Sequence, residues 1–96
     1  MKITKTFQSG SLESSDILIT LAPPEKKGIK IKLKSDIQEQ FGEAIMLKIE
    51  ETLKKLGIDD VICYAEDKGA LDFTITARIE AAVDSAKKEQ EADNLK

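Results

Sequence analysis

Histidine and tryptophan are absent from this 96-residue chain, cysteine occurs once, proline twice, and aromatic residues make up only 4%. Each shortage closes off a class of function. Without histidine the commonest general base of nucleophilic catalysis is missing, and zinc loses one of its two usual ligand types. A lone Cys63 supports neither an internal disulfide nor a multi-cysteine metal site, and it suits a reducing compartment. No apolar run approaches the roughly 18 residues that suggest a membrane-spanning helix, and no basic segment followed by an apolar one opens the chain. A cytoplasmic location is therefore expected. A formal net charge of −3 with a pI near 5.0 argues against general affinity for nucleic acid.

What remains is an ordinary globular composition, 41% hydrophobic and 34% charged, enough for one domain with one modest core. A chain this short has difficulty building a deep cleft lined by several catalytic groups, so carriers and binding modules fit it better. Residues 1–88 are expected to form the domain, and the polar residues 89–96 a fraying tail.

Period-two alternation organises the first third. Met1 to Phe7 alternates weakly and predicts a short strand; Gln8 to Ser15 is loop by composition; Ile17, Ile19 and Leu21 share one face of a second strand, which Pro23 and Pro24 end. Ile29, Ile31 and Leu33 alternate with Lys30, Lys32 and Lys34, a third strand with one buried and one wet face. Ser35 reads as the N-cap of a helix running to about Leu56, with an apolar stripe through Ile37, Phe41, Ala44, Ile45, Ile49, Leu53 and Leu56, closed at Gly57. Val61 to Ala65 is apolar on both parities, as in a strand that is covered on both faces or lies centrally in a sheet. Leu71, Phe73 and Ile75 alternate with Asp72 and Thr74, which predicts a fifth strand in a hairpin with it. A second helix is expected from about Thr76. The order β-β-β-α-β-β-α gives an α+β fold, a mostly antiparallel sheet of four to five strands with two helices on one face.

Few residues are placed to carry chemistry. Gly10-Ser11-Leu12-Glu13-Ser14-Ser15-Asp16 sets two adjacent hydroxyls, flanked by carboxylates, on a turn before a strand. The plain reading is a loop rich in turn formers; the sharper one is a substrate for modification, since an exposed serine can be esterified to a phosphate that tethers a long prosthetic arm. Lys26, Lys27, Lys30, Lys32 and Lys34 form the one basic concentration, ordinarily a solvated strand face, alternatively a surface for the phosphates of a tethered nucleotide. Asp60, Glu66, Asp67 and Asp72 match no calcium-loop spacing and read as turn and surface residues. Cys63 reads as a buried small hydrophobe.

Taken together, the segment Gly10 to Asp16, Gly28-Ile29, Gln40-Phe41-Gly42, Glu51-Thr52-Leu53, Leu56-Gly57, Asp67-Lys68-Gly69-Ala70-Leu71 and Ala77-Arg78 resemble the acyl carrier protein of citrate lyase, the gamma subunit of that complex, over essentially the whole length. The resemblance implies that Ser14, the first serine of Glu-Ser-Ser-Asp, is joined by a phosphodiester to 2′-(5″-phosphoribosyl)-3′-dephospho-CoA. It implies a prosthetic-group transferase as one partner and the alpha and beta subunits of citrate lyase as others, with acetyl exchanged for citryl by the alpha subunit and the citryl thioester cleaved by the beta subunit to oxaloacetate and the acetyl carrier. The carrier itself would catalyse nothing and bind no metal. Malonate decarboxylase uses a similar carrier and arm. A non-catalytic module that binds a partner through the lysine-striped sheet face is the alternative from a different class.

Overall fold

Isoleucine and leucine at every second position of residues 17–21 give a strand with one wholly buried face. Ile17, Ile19 and Leu21 are fully buried, each contributing roughly 1.5–3 kcal/mol of transfer free energy. The computed structural model describes residues 1–94. Its elements are β1 (Phe7–Gly10), β2 (Ile17–Ala22), β3 (Ile29–Ser35), α1 (Gln38–Lys55), β4 (Val61–Asp67) and α2 (Asp72–Asn94). The four strands form one sheet in the order β1-β2-β4-β3; β2 is antiparallel to β1 and to β4, and β3 is parallel to β4. Parallel neighbours need a long crossover, and α1 supplies it. Both helices lie on one face, α2 against β1 and β2, α1 against β3, and they touch each other. Between helices and sheet sits the core, including Ile45, Ile49 and Leu53 from α1 and Ile75, Ile79, Ala82, Val83 and Ala86 from α2.

The α+β class, the helices on one face and the central position of β4 agree with the sequence reading. The fifth strand does not. Residues 72–75 open α2: the N–H groups of Thr74 and Ile75 donate to the Leu71 carbonyl, and the Thr76 hydroxyl donates to the Asp72 carbonyl. Ile75 is 1% exposed and Phe73 72%, so the three residues do not share a face, and Ile75 belongs with Ile79 one helical turn on. β4 also has no free edge for a hairpin partner, because β2 and β3 already flank it. The order is therefore β-β-β-α-β-α.

The first strand starts later than expected, at Phe7, with Lys2 making an isolated bridge to Asp60. Ser35 ends β3 instead of capping α1; Ile37 holds the N-cap position without a side-chain cap bond. Phe41 at 50% and Ile37 at 39% stay exposed, so the buried face of α1 begins only at Gly42 and Ile45. Residues 89–94 continue α2, where the Gln90 side chain accepts from the Thr4 N–H and donates to the Lys2 carbonyl. The end of the expected tail, 95–96, lies outside the described residues.

Candidate functional site

The serine loop closes the β1–β2 hairpin, and its geometry follows from Gly10 and Asp16. Gly10 has φ +96°, and a Cβ there would lie 1.8 Å from the Ile17 carbonyl oxygen, so only glycine lets the two strands part this closely. Asp16 N–H donates to the Glu13 carbonyl at 3.1 Å, closing a four-residue turn with Ser14 and Ser15 at its two central positions. Ser15 has φ +66°, the left-handed conformation that a type II turn requires at its third residue.

That turn is braced from below. The Asp16 carboxylate accepts from Arg78 through both Nε and Nη2, each at 2.9 Å, from the Ser11 hydroxyl at 2.6 Å and from the Ile17 N–H at 2.8 Å. These donors, the Arg78 guanidinium first, hold the Asp16 carboxyl well below the usual carboxylate range, and Asp16 in turn raises Arg78. From β4's end, the Lys68 carbonyl accepts from Ser15 N–H at 2.8 Å and the Lys68 N–H donates to the Asp16 carbonyl at 2.9 Å. Ser15 is thus tied down through its backbone, whereas Ser14 stands exposed at the corner with neither hydroxyl nor backbone hydrogen-bonded among the described residues.

Asp16 and Lys68 are both engaged elsewhere and are not set up as bases for Ser14. The Asp16 charge is taken up by Arg78, and the Lys68 ammonium lies 3.7 Å from Glu66 and 4.0 Å from Asp36. Sequence reasoning singled out Ser14, Ser15 and Asp16 but missed Lys68 as their backbone partner and Arg78 as the brace. One signal was available: Arg78 is the only arginine in a chain rich in lysine, and arginine's planar fork is what a bidentate carboxylate contact selects.

The other sequence candidates lie apart. Asp67, 1% exposed, accepts from the Ser35 hydroxyl and the Ala70 N–H, while Asp60 sits at the opposite end of β4 and accepts from Gly28 N–H. Among the described residues no group of three or more His, Cys, Asp and Glu could hold a metal ion. Cys63 is buried among apolar neighbours, which pushes its thiol up to about 12 and leaves it protonated. No helix among the described residues is long and apolar enough to cross a membrane.

Comparison with known proteins adds a family. A family model described as malonate decarboxylase delta subunit, an acyl carrier family, matches residues 4–86. The citrate lyase acyl carrier protein of Streptococcus uberis is 55% identical over 86 residues, covering 90% of this chain and 84% of the relative. That of Halothermothrix orenii is 44% identical over 88 residues, 92% of this chain and 93% of the relative. The Lacticaseibacillus casei protein of the same name is 53% identical over 83 residues, covering 86% and 81%.

Proposed function

This chain belongs to the citrate lyase acyl carrier protein family, and on that premise we propose that it is a non-catalytic acyl carrier whose Ser14 bears a phosphoribosyl-dephospho-CoA group through a phosphodiester. When bound, that group supplies a thiol on which acetyl and citryl are carried as thioesters while the alpha and beta subunits of citrate lyase turn citrate into oxaloacetate and acetate. The chain's own part is positional. Tethering converts encounters with separate active sites into events at high effective concentration.

The observation that carries this reading is a free hydroxyl on a fixed base. Ser14 is exposed and without a hydrogen bond, so esterification there removes no native contact, and a bulky substituent at the turn's outer corner displaces no packed side chain. Arg78 offsets the Asp16 charge, so Asp16 sets no uncompensated negative charge beside an anionic phosphodiester, and Glu13, the other flanking carboxylate, is exposed and screened by solvent. The loop fits the group.

Intact mass of the protein from its native host, with fragmentation of the peptide containing Glu13 to Asp16, tests the assignment. An added mass on Ser14 matching the group, lost in Ser14→Ala together with lyase activity, is expected; an unmodified mass from cells growing on citrate overturns it. The family model is described for malonate decarboxylase, which favours a second reading with a malonyl thioester. Turnover of citrate and not malonate by the reconstituted complex separates the two.

A further inference from the structure

Both helices cover one face of the sheet, and the other face is open. Its register sets three rows across the strands: Gly10, Leu18, Glu66 and Lys34 nearest the serine loop; then Gln8, Thr20, Tyr64 and Lys32; then Ala22, Ile62 and Lys30. Tyr64 is 43% exposed at the centre of this face, and the Lys32 ammonium lies 5.6 Å from its ring centroid. A shallow cavity of about 260 Å³ there is lined by Leu18, Thr20, Lys32, Lys34, Tyr64 and Glu66, among others.

A solvated strand face needs lysines but no exposed aromatic ring between them and no apolar floor. Here the ring comes from β4 and the cations from β3, which is why the sequence alone showed lysines without aromatics. An exposed tyrosine face stacks a nucleobase, and lysines on one side of it meet phosphates as point charges. We propose that this face is a nucleotide-binding subsite, and that it holds the adenylate portion of the group on Ser14, the base on Tyr64 and the phosphates at Lys32 and Lys34. The assignment of that ligand rests on the Ser14 reading. The reach is short: the serine turn is tied to Lys68 through the Ser15 N–H, and Tyr64 lies four residues before Lys68, about 13 Å at strand rise.

The charges on this face favour an anion. Lys30, Lys32 and Lys34 all project from it on an edge strand, and its one carboxylate, Glu66, is within 3.7 Å of the Lys68 ammonium. A base stacked on Tyr64 takes the place of the Lys32 ammonium over the ring, and that ammonium, on a flexible exposed stem, remains within reach of the phosphate. Binding can be weak and still matter, because a short flexible tether gives an effective concentration on the order of millimolar.

The unmodified chain, titrated with 3′-dephospho-CoA while backbone amide shifts are followed, separates this proposal from the previous one. Saturable shifts at Leu18, Thr20, Lys32, Lys34 and Tyr64 are expected, at a Kd of about 1 mM, matched to the tether's effective concentration. Adenosine diphosphate should reproduce them and pantetheine 4′-phosphate should not. Lys32→Glu with Lys34→Glu should weaken binding at least about tenfold, and Tyr64→Ala should abolish the shifts at Thr20. Unchanged helix-face shifts show that the variants stay folded. Shifts scattered over the helix face, or undiminished by reversing both lysines, overturn the subsite. If the native-host chain carries the added mass but its sheet-face shifts match those of the bare chain, the subsite falls and the Ser14 assignment stands. A positive titration with no added mass in the native host has the reverse meaning.

Discussion

Two polar loops flank β2, residues 11–16 before it and 23–28 after it, and they are built on opposite plans. The serine loop is held by an internal turn bond, two backbone bonds to Lys68 and a carboxylate with four donors, one residue pair of which spans 62 positions of sequence. In the lysine loop, residues 23–27 make no hydrogen bond among the described residues; only Gly28 is tied, donating to Asp60 and accepting from Val61 N–H. Exposure does not explain this contrast, since both loops are exposed. Bracing is costly in chain entropy, of order 1–2 kcal/mol per fixed residue, and here it is concentrated around the turn that carries Ser14.

The largest test of that difference uses the two glycines. Both have positive φ, +96° at Gly10 and +104° at Gly28, but a Cβ at Gly10 meets the Ile17 carbonyl at 1.8 Å whereas at Gly28 nothing lies within 4 Å. Gly10→Ala should therefore cost about 3 kcal/mol or more, because main chain has to move, and Gly28→Ala about 1 kcal/mol, the left-handed strain alone. Urea unfolding midpoints measure both. Equal losses would mean that the serine loop is no more constrained than its counterpart.

Acid titration probes the brace itself. The Arg78 contact, then Ser11 and the Ile17 N–H, hold the folded Asp16 carboxyl far below the unfolded value of about 3.9. Below that pH the unfolded chain binds the proton first, so stability contributed by Asp16 is complete above about pH 4 and is lost as the pH falls toward the folded value. Asp16→Asn should be less stable at neutral pH and should show a shallower loss between pH 4 and pH 2. An unchanged acid slope in that variant would assign the bracing to the Lys68 backbone bonds alone.

What the sequence made legible was local. Ile17, Ile19 and Leu21, the Lys-alternating strand and the turn chemistry of Ser14 and Ser15 are set by neighbours one or two positions away, and along both strands exposure follows the alternation. Leu71, Phe73 and Ile75 misled because three alternating apolar residues look the same in a strand as at the start of a helix; here only Ile75 is buried, in line with Ile79 one turn on, and β4 has both edges occupied, which leaves no place beside it for a hairpin partner. The Arg78–Asp16 contact, the parallel pairing of β3 with β4 and the meeting of Tyr64 with Lys32 depend on chain crossing between distant segments, and no local pattern encodes them.

The smallest expected effect separates bracing from function inside a single loop. Ser11 and Ser14 are three residues apart; the Ser11 hydroxyl donates to Asp16 and accepts from the Glu13 N–H, whereas the Ser14 hydroxyl touches no partner. Ser11→Ala should cost about 1 kcal/mol, the worth of a hydrogen bond whose acceptor keeps other donors. Ser14→Ala should change stability by less than about 0.5 kcal/mol, since its φ is not positive and its side chain is exposed. Modification should follow the opposite order, abolished in Ser14→Ala and retained, at a reduced rate, in Ser11→Ala where the turn is looser. A Ser14→Ala loss as large as that of Ser11→Ala would mean the hydroxyl is part of the scaffold, and a residue already engaged in holding the fold is poorly suited to be given up to a phosphodiester.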